Sequence, residues 1–461
     1  MTRNEADRYL NSFINYENQI KNVAPLTFKL RRVENLLELL GNPHKKIKCI
    51  HVAGSKGKGS TCAFTAHILN EAGYKVGLYT SPHIYDLRER IRILKIPPVS
   101  PLVRGEDSAK NQIFDDSIAE KDLCSLLEKM RPILEKARSD SESGKLSYFE
   151  VLTALAFCYF DASNVDCAVL ETGMGGRLDA TNVVDALVCG LTPISLEHTQ
   201  QLGSTLTAIA REKAAIIKNK EQSVVVAPQQ PEALAVIEKH CQKIGAEWYD
   251  VARNMRLERQ QQNPDGQTFF IKSIQHTYIA KTRLLGNHQI TNAATAIGLV
   301  EKLKAHDVSI EPEIVAKGIE NTRWPGRFEI VGKRPWIILD CAHNPSSAAR
   351  LAQTVLEIFP DQPVSLILGI SSDKDIAGIC RNLSAICKRV IFTKADHPRA
   401  YEISREELEK FFPGKHCRLA KNIEEALQAA LANTGADAVI VVAGSIFIVA
   451  EARLHLLNKK G

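Results

Sequence analysis

The sequence predicts an α/β protein with two parallel-sheet domains in series, of which the first carries a small antiparallel β unit and the second is smaller. Three observations predict this fold. Apolar runs of strand length alternate with helical stretches, a loop rich in glycine and lysine follows the first run, and a Trp-Pro-Gly break at 324–326 separates two such series. Strands that alternate with helices are typical of a parallel sheet covered by helices on both faces.

The first series begins after two helical patterns, which occupy about the first 45 residues. Short apolar runs then predict strands at 47–52, 76–79, 165–170, 186–191 and 224–227. The segment 97–120 is polar, contains three prolines and has no clear period, so we expect a surface excursion there.

A change of pattern marks the end of the first domain. Residues 255–285 partly alternate apolar and polar around a Pro-Asp-Gly turn at 264–266, which predicts the antiparallel β unit, and a helix is expected at 289–305. The second series has predicted strands at 336–339, 364–368, 390–392 and 438–442. We therefore predict two domains, at 1–324 and 325–461.

Composition and charge limit the classes of function. The 461 residues are 44% hydrophobic and 24% charged, as in ordinary globular proteins. The net charge of +6 is thinly spread, which suits anionic small substrates and gives little support to nucleic-acid binding. Eleven cysteines without a Cys-x-x-Cys pair predict buried thiols in a reducing cytosol. With no signal-like N-terminal stretch and no apolar run of bilayer length, we expect a cytoplasmic protein without a membrane partner.

The most informative stretch reads His-Val-Ala-Gly-Ser-Lys-Gly-Lys-Gly-Ser-Thr at 51–61. A strand, a tight glycine loop and a helix start in this order turn backbone N–H groups toward a bound anion. Lys58 would reach outer phosphates, and Ser60 could offer a hydroxyl to Mg²⁺. The spacing departs from Gly-x-x-x-x-Gly-Lys-Ser/Thr, which argues against an ordinary P-loop GTPase or kinase. The alternative is a plain glycine-rich turn.

Carboxylates follow two of the predicted strands, and ligands bind beyond the carboxyl ends of strands in open parallel sheets. Glu171 directly follows the first of these strands and precedes a run rich in Gly, Arg and Asp. Its carboxylate suits Mg²⁺, although it could simply cap a loop. Asp340 and His343 follow the strand at 336–339 and fit a ligand site facing the first domain. Asn344-Pro345 beside them also indicates a helix start.

Two other positions gain no role from the residues alone. Glu197-His198 follows the strand at 186–191, and Lys213 lies on a helical pattern. A histidine after a strand is usually structural or solvated, although it can bind a metal. A lysine on a helix is usually an exposed ion-pair partner.

Taken together, the motifs resemble the folylpolyglutamate synthase and dihydrofolate synthase family of the Mur ligase superfamily, in particular its bacterial bifunctional type. The match covers almost the whole chain, with the motifs in the family's order. They are Gly-Ser-Lys-Gly-Lys-Gly-Ser at 54–60, Tyr-Thr-Ser-Pro-His at 79–83, Arg-Glu-Arg-Ile at 88–91, Ser-Tyr-Phe-Glu at 147–150, Glu-Thr-Gly-Met-Gly-Gly-Arg-Leu-Asp-Ala-Thr-Asn at 171–182, Glu-His at 197–198, Arg-Glu-Lys at 211–213, Asn-Ala-Ala at 292–294, Pro-Gly-Arg at 325–327, Asp-Cys-Ala-His-Asn-Pro at 340–345 and Asp-Lys-Asp at 373–375.

The resemblance implies a P-loop-type ATPase domain followed by a Rossmann-like glutamate-ligase domain. It also implies particular roles. Implied ATP-binding residues are Gly54, Ser55, Lys56, Gly57, Lys58, Gly59, Ser60, Thr61, Asn292, Arg327 and Asp340. Implied metal ligands are Ser60, Ser81, Glu171, His198 and Lys213. Residues implied to line the folate or pteroate site are Ser147, Tyr148, Phe149, Glu150, Leu178, Asp179 and Ala180. Lys58, Lys213 and His343 are the implied catalytic residues.

The same resemblance implies the cofactors, substrates and reaction. ATP would phosphorylate the carboxylate of dihydropteroate or a reduced folate, and L-glutamate would attack the acyl phosphate. Two Mg²⁺ ions are implied, with K⁺ as a further candidate ion, and Lys213 would bear a CO₂-derived carbamate that holds one Mg²⁺. A monomer is expected.

Some residues depart from the family pattern, and two rival functions stay open. Lys56 stands in place of the usual Asn, Glu197 in place of Asp, and Cys341 in place of a small residue such as Gly, while the 97–120 excursion is longer than usual. One rival is a Mur-type ligase of cell-wall synthesis, although the glycine loop begins too near the N-terminus to leave room for a nucleotide-sugar domain. The other is a P-loop ATPase coupled to binding or assembly.

Overall fold

The computed structural model describes residues 1–16, 30–95, 114–139 and 145–458. Most of the predicted excursion lies outside these ranges. None of the helices within them is long and apolar enough to cross a membrane.

The N-terminal part is built on a mixed seven-stranded sheet in the order β3-β2-β4-β1-β5-β6-β7. Its strands are β1 (Cys49–Ala53), β2 (Val76–Tyr79), β3 (Ile91–Ile93), β4 (Cys167–Glu171), β5 (Val188–Leu191), β6 (Ser223–Val226) and β7 (Trp248–Asp250). The predicted strands are present, 76–79 with identical bounds. The sheet is parallel, as predicted, except at one edge, where β3 runs antiparallel to β2.

Helices cover both faces of this sheet. They are α1 (Arg3–Asn11), α2 (Leu30–Leu39), α3 (Lys58–Glu71), α4 (Glu120–Ser139), α5 (Tyr148–Ala162), α6 (Thr199–Leu202), α7 (Leu206–Ala214), α8 (Pro231–Ile244), α9 (Val251–Asn254), α10 (Asn287–Lys302) and α11 (Pro312–Asn321). Strand β1 is buried on both sides: Cys49 and Ala53 pack in the core under α2 and α5, whereas Ile50 and Val52 pack in the core under α3 and α10. Burial on both faces explains why such strands appear as continuous apolar runs.

A three-stranded antiparallel unit follows, as predicted, with strands β8 (Arg256–Asn263), β9 (Gly266–Lys272) and β10 (Thr277–Thr282). The predicted Pro-Asp-Gly turn connects β8 and β9. Helix α10 begins two residues before its predicted start at 289 and ends three residues before its predicted end at 305, where a 3-10 turn at 303–306 continues the chain.

The C-terminal part is a six-stranded sheet in the order β11-β12-β16-β13-β14-β15. Its elements are β11 (Glu329–Lys333), β12 (Trp336–Leu339), α12 (Pro345–Ile358), β13 (Val364–Leu368), α13 (Ile376–Ser384), β14 (Arg389–Phe392), α14 (Arg405–Phe411), β15 (His416–Leu419), α15 (Ile423–Ala432), β16 (Val439–Ala443) and α16 (Ile446–Asn458). The expectation that 336–339 is the first strand is wrong, because β11 precedes it and pairs with it antiparallel. The fold class is confirmed, while the division at 324/325 remains a prediction; it falls between α11 and β11.

Candidate active site

The glycine-rich loop lies where the sequence predicts it, between β1 and α3. We call residues 54–61 the phosphate loop. The backbone N–H groups of Ser55 and Lys56 donate to the carbonyl of Pro193 after β5, each at 3.1 Å. Lys58, the first residue of α3, donates its ammonium to the Gly54 carbonyl at 3.1 Å. The loop is therefore fixed to the carboxyl edge of the sheet, with a helix N-terminus beside it that attracts anions.

Gly57 caps α3 in a conformation that explains its residue type. Its φ is +86°, and a Cβ at this position would lie 2.2 Å from the side-chain oxygen of Asn292. Any other residue would be strained by the positive φ and would collide with that amide. Asn292, in α10, is held by its own hydrogen bond to Gln289 Oε1 at 2.9 Å. The structure thus brings the predicted Asn292 against the phosphate loop.

Glu171 ends β4 next to the phosphate loop. Its Oε2 accepts the N–H of Ser81 at 3.2 Å, and a Cβ on Gly59 would lie 3.3 Å from the same oxygen. Burial raises the pKa of Glu171, while Lys58 and the Ser81 N–H lower it. Ser81 and Glu171, which are 90 residues apart in sequence, therefore meet as expected.

Lys213 is buried in α7 with only 1% of its side chain exposed. Its ammonium donates to Glu197 Oε1 and to the Gly54 carbonyl, each at 2.8 Å. Burial lowers the pKa of Lys213 to about 8, against the opposing effect of Glu197. Burial would raise the pKa of Glu197, but Lys213 and Lys58 lower it to about 2. This arrangement differs from the exposed ion pair that a helical pattern alone suggests.

His198 precedes α6 with a positive φ of +46°, next to Glu197. Burial lowers the pKa of His198 to about 4, although Glu197 opposes this, so the ring is neutral at pH 7. A neutral imidazole is the form that binds metals. Lys58 is a charged neighbour of Glu171, Glu197, His198 and Lys213 alike, which places these side chains around one cation.

Charged side chains of the second domain lie near Glu171 and the phosphate loop. Asp340, at the end of β12, accepts the N–H groups of Phe328 and Ala342, both at 2.8 Å. Burial raises the pKa of Asp340 and the adjacent Arg327 lowers it. Arg327 also lowers the pKa of Glu171, which belongs to the first domain. His343 Nδ1 lies 2.9 Å from the Cys341 carbonyl, so Nδ1 carries the hydrogen and Nε2 is left as an acceptor.

The residues expected to line the acceptor site lie on two adjoining segments. Ser147 and Glu150 form a capping box at the start of α5, so both side chains stabilise the N-terminus of that helix. Tyr148 is buried under the Arg90 guanidinium, 5.8 Å from its ring centre. Phe149 packs on Gly173, where an added Cβ would lie 2.7 Å from the ring. Leu178 and Asp179 belong to the loop that contains Gly173, and Ala180 begins the 3-10 turn that follows it, so the two segments adjoin through Phe149 and Gly173.

Two charged side chains of this cleft received no role from the sequence. The positive charge of Lys374 contributes to lowering the pKa values of Lys56, His198 and His343, and that of Arg350 contributes to lowering the pKa of Lys56. Lys374 lies in the Asp-Lys-Asp motif, which was part of the resemblance and could have indicated it. Arg350 lies within α12 and has no motif around it.

The chemistry of the donors fits Mg²⁺. Within the described ranges, no group of three or more His, Cys, Asp or Glu side chains could hold a metal alone. Glu171 supplies a buried carboxylate beside Ser81, and Ser60 lies two residues after Lys58 with only 4% exposure. A metal here would therefore share its ligands with a nucleotide, as Mg²⁺ does in phosphate-transfer sites.

Comparison with known proteins agrees with this two-part site. The Mur ligase middle domain matches residues 125–300, and the Mur ligase glutamate ligase domain matches residues 326–446. The dihydrofolate synthase/folylpolyglutamate synthase of Bacillus subtilis is 33% identical over 436 residues, covering 93% of this chain and 94% of that protein. The folylpolyglutamate synthase of Lacticaseibacillus casei is 33% identical over 434 residues, covering 93% of this chain and 95% of that protein.

Solved structures give the same result. The Mycobacterium tuberculosis folylpolyglutamate synthase complexed with ADP superposes with a TM-score of 0.85 at 28% identity, covering 98% of both chains. An FPGS–AMPPCP–folate complex superposes with a TM-score of 0.81 at 31% identity, covering 99% of this chain and 100% of the chain in that complex. Fold and site thus define an ATP-dependent ligase of the Mur type.

Within that class, the chain belongs to the folylpolyglutamate synthase/dihydrofolate synthase family. The predicted resemblance is confirmed, and the family is favoured over a cell-wall ligase and over a P-loop ATPase.

Proposed function

We propose that this ligase adds L-glutamate both to dihydropteroate and to the γ-carboxyl of reduced folates. The observation that supports it best is electrostatic: Arg327 of the second domain lowers the pKa of Glu171 beside the phosphate loop, so the two domains bring opposite charges to one cleft. A free carboxylate needs activation before an amine can displace its oxygen. A site that gathers ATP, metal and acceptor between two domains suits that task.

Each side chain has a definite part in this proposal. Lys58 neutralises charge on the transferred phosphate, and Arg327 completes the cationic shell when the domains close. Asn292 and Asp340 position the nucleotide, and His343 presents Nε2 toward the cleft as a proton acceptor for the attacking amine. Closure also excludes water from the acyl phosphate.

Ser60, Ser81, Glu171, His198 and Lys213 are the residues that would hold Mg²⁺. The ions would neutralise the triphosphate. Carbamylation of Lys213 would turn an ammonium into a carboxylate-like oxygen ligand. The lowered pKa of Lys213, about 8 because of burial, supports this step because CO₂ reacts with a neutral amine. A monomeric state and a role for K⁺ remain predictions.

Phosphate release measured with four mixtures tests the proposal: ATP alone, ATP with glutamate, ATP with acceptor, and all three. Dihydropteroate and tetrahydrofolate are supplied as separate acceptors, and labelled glutamate is followed into product. We expect incorporation with each acceptor and negligible phosphate release without one. Steady turnover with ATP alone would contradict the ligase assignment, and incorporation with one acceptor only would remove bifunctionality.

A further inference from the structure

Three buried side chains connect the middle of the first sheet with the loop after β4. We call residues 172–179 the β4 loop. His51 in β1 is 0% exposed, and its Nε2 lies 2.8 Å from Thr181 Oγ1. The Thr181 hydroxyl, also 0% exposed, donates to Asp179 Oδ1 at 2.6 Å. Neither His51 nor Thr181 has a part in the proposed function.

The hydrogen positions in this chain follow from its chemistry. The single proton of the Thr181 hydroxyl goes to Asp179, so its oxygen must accept from His51, and Nε2 of His51 carries the hydrogen. Burial lowers the pKa of His51 to about 3, which is consistent with a neutral ring. The direction of donation therefore runs from β1 outward to Asp179.

Asp179 uses its carboxylate to close the β4 loop on itself. Oδ2 accepts the N–H of Met174 at 2.9 Å, and Oδ1 accepts the N–H of Thr181 at 3.1 Å. One carboxylate thus holds two backbone positions seven residues apart. The Thr181 hydroxyl adds the shortest of these hydrogen bonds to the same carboxylate, at 2.6 Å to Oδ1, and so helps to fix its orientation.

The outer side of the β4 loop rests on α7, which contains Lys213. The N–H of Arg177 donates to the Glu212 carbonyl at 2.8 Å, and Asn182 Nδ2 donates to the Ala215 carbonyl at 3.3 Å. A Cβ on Gly176 would lie 2.7 Å from that Glu212 carbonyl oxygen. The β4 loop is therefore fixed between α7 and the His51–Thr181–Asp179 hydrogen bonds, and its Gly173 packs against Phe149 of the expected acceptor site.

We propose that His51 and Thr181 are positioning residues that fix the β4 loop for acceptor binding. This proposal rests on the proposed function, because it assumes that Leu178 and Ala180 contact the pteroate or folate. His51 orients the Thr181 hydroxyl, that hydroxyl helps to orient the Asp179 carboxylate, and the carboxylate holds the backbone of the β4 loop at Met174. The phosphate loop has an anchor of its own in the hydrogen bonds from the Ser55 and Lys56 N–H groups to the Pro193 carbonyl, so we expect ATP binding to depend less on these side chains than acceptor binding does.

Kinetic constants of two Thr181 variants test the proposal. Thr181→Val keeps the shape but removes the hydroxyl, leaving the His51 N–H without an acceptor. We expect its KM for dihydropteroate to rise about tenfold while its KM for ATP stays within about twofold, because a less firmly held β4 loop should lose acceptor-binding free energy comparable to one hydrogen bond. Thr181→Ser retains the hydroxyl and should restore the wild-type KM.

Two further variants separate positioning from general damage. His51→Leu should raise the acceptor KM as Thr181→Val does, and the double variant should be no worse than either single one, because both break the same chain. Thr282→Val is the matched control: its hydroxyl is also 0% exposed and accepts one N–H, from Leu284 at 3.2 Å, but it lies in β10. Its KM values should not change.

An unchanged acceptor KM in Thr181→Val, or an equal rise in both KM values, would overturn the proposal. Failure of the proposed function is recognised separately, because then the wild-type protein incorporates no glutamate. The imidazole ¹⁵N NMR spectrum of His51 tests the His51–Thr181–Asp179 hydrogen bonds independently of any activity assay. We expect an Nε2–H tautomer whose Nε2 signal shifts in Thr181→Val and not in Thr282→Val; an Nδ1–H tautomer contradicts the chain.

Discussion

The ammonium of Lys213 donates a hydrogen bond to the backbone carbonyl of Gly54 at 2.8 Å, across 159 residues of sequence. The contact joins α7 directly to the phosphate loop. A lysine that is 1% exposed is costly to bury unless it is paired, and Glu197 supplies the partner. The protein therefore keeps a buried cation beside the loop where a triphosphate and its metal are proposed to bind.

Replacing Lys213 by alanine should nearly abolish glutamate incorporation. The variant loses the group proposed to become a metal ligand and leaves Glu197 without its partner. Short-chain carboxylic acids added to the assay should partly restore the rate if the carbamate is the active form. Lys302→Ala is the control, because Lys302 forms an ion pair with Glu247 whose carboxylate is 72% exposed, and it should retain full activity. A fully active Lys213→Ala enzyme would refute the metal-bridging role.

Arg327→Lys should raise the KM for ATP by about tenfold or more, because lysine cannot reproduce the planar, bidentate contact of a guanidinium with phosphate. Because this substitution keeps the positive charge, a higher KM for ATP would reflect the lost geometry of the guanidinium and not a lost charge. Steady-state kinetics at saturating acceptor and glutamate provide the measurement. Arg334→Lys, whose side chain is 75% exposed, should leave the KM unchanged. Equal KM values for Arg327→Lys and wild type would remove Arg327 from the nucleotide site.

Within the two larger sheets, the strands that the sequence predicted are the inner ones, whose side chains are mostly buried on both faces. Strands β2, β12 and β13 have the predicted bounds because each is a short and mainly apolar run. The edge strands of the two larger sheets, β3, β7, β11 and β15, were missed. Strand β15, for example, reads His-Cys-Arg-Leu and has no buried residue. An edge strand has one neighbour and needs no apolar face, so periodicity does not reveal it.

The residues of the site likewise fall into those predicted from local sequence and those that depend on distant contacts. The phosphate loop was predicted from its residues, because glycines and lysines act locally at a helix start. Lys213 and His198 were assigned only through the resemblance, since their roles depend on contacts with distant residues. The pairing of Lys213 with Glu197, 16 residues away, has no periodic signature at all. The His51 chain was missed for the same reason.

Glu150→Ala should destabilise the protein more strongly than it impairs acceptor binding. Arg32 Nη2 lies 2.9 Å from Glu150 Oε1, and the two side chains are only 6% and 8% exposed. Truncating the glutamate leaves a buried guanidinium uncompensated, at a cost of about 3–5 kcal/mol. Urea unfolding measures the loss. Asp265→Ala removes the partner of an exposed pair with Lys333 and should have little effect. Similar stabilities for both variants would contradict a structural role for Glu150.

The free energy of unfolding should fall as the pH drops below 6.5, in part because of His44. This residue is 6% exposed, and burial lowers its pKa to about 4, with Lys45 adding to the effect. Between pH 6.5 and 4 the unfolded chain binds a proton at this position that the folded protein does not. Stability contributed by neutral His44 is therefore present above pH 6.5 and is lost as the pH falls toward 4.

His44→Gln should flatten this dependence by up to one proton, or about 1.4 kcal/mol per pH unit. Urea unfolding of wild type and variant at several pH values between 7.5 and 5 gives the two slopes, because the slope equals the difference in protons bound by the two states. His416→Gln, at an exposed position in β15, is the control and should follow the wild-type curve. Parallel curves for His44→Gln and wild type would show that His44 titrates alike in the folded and unfolded protein.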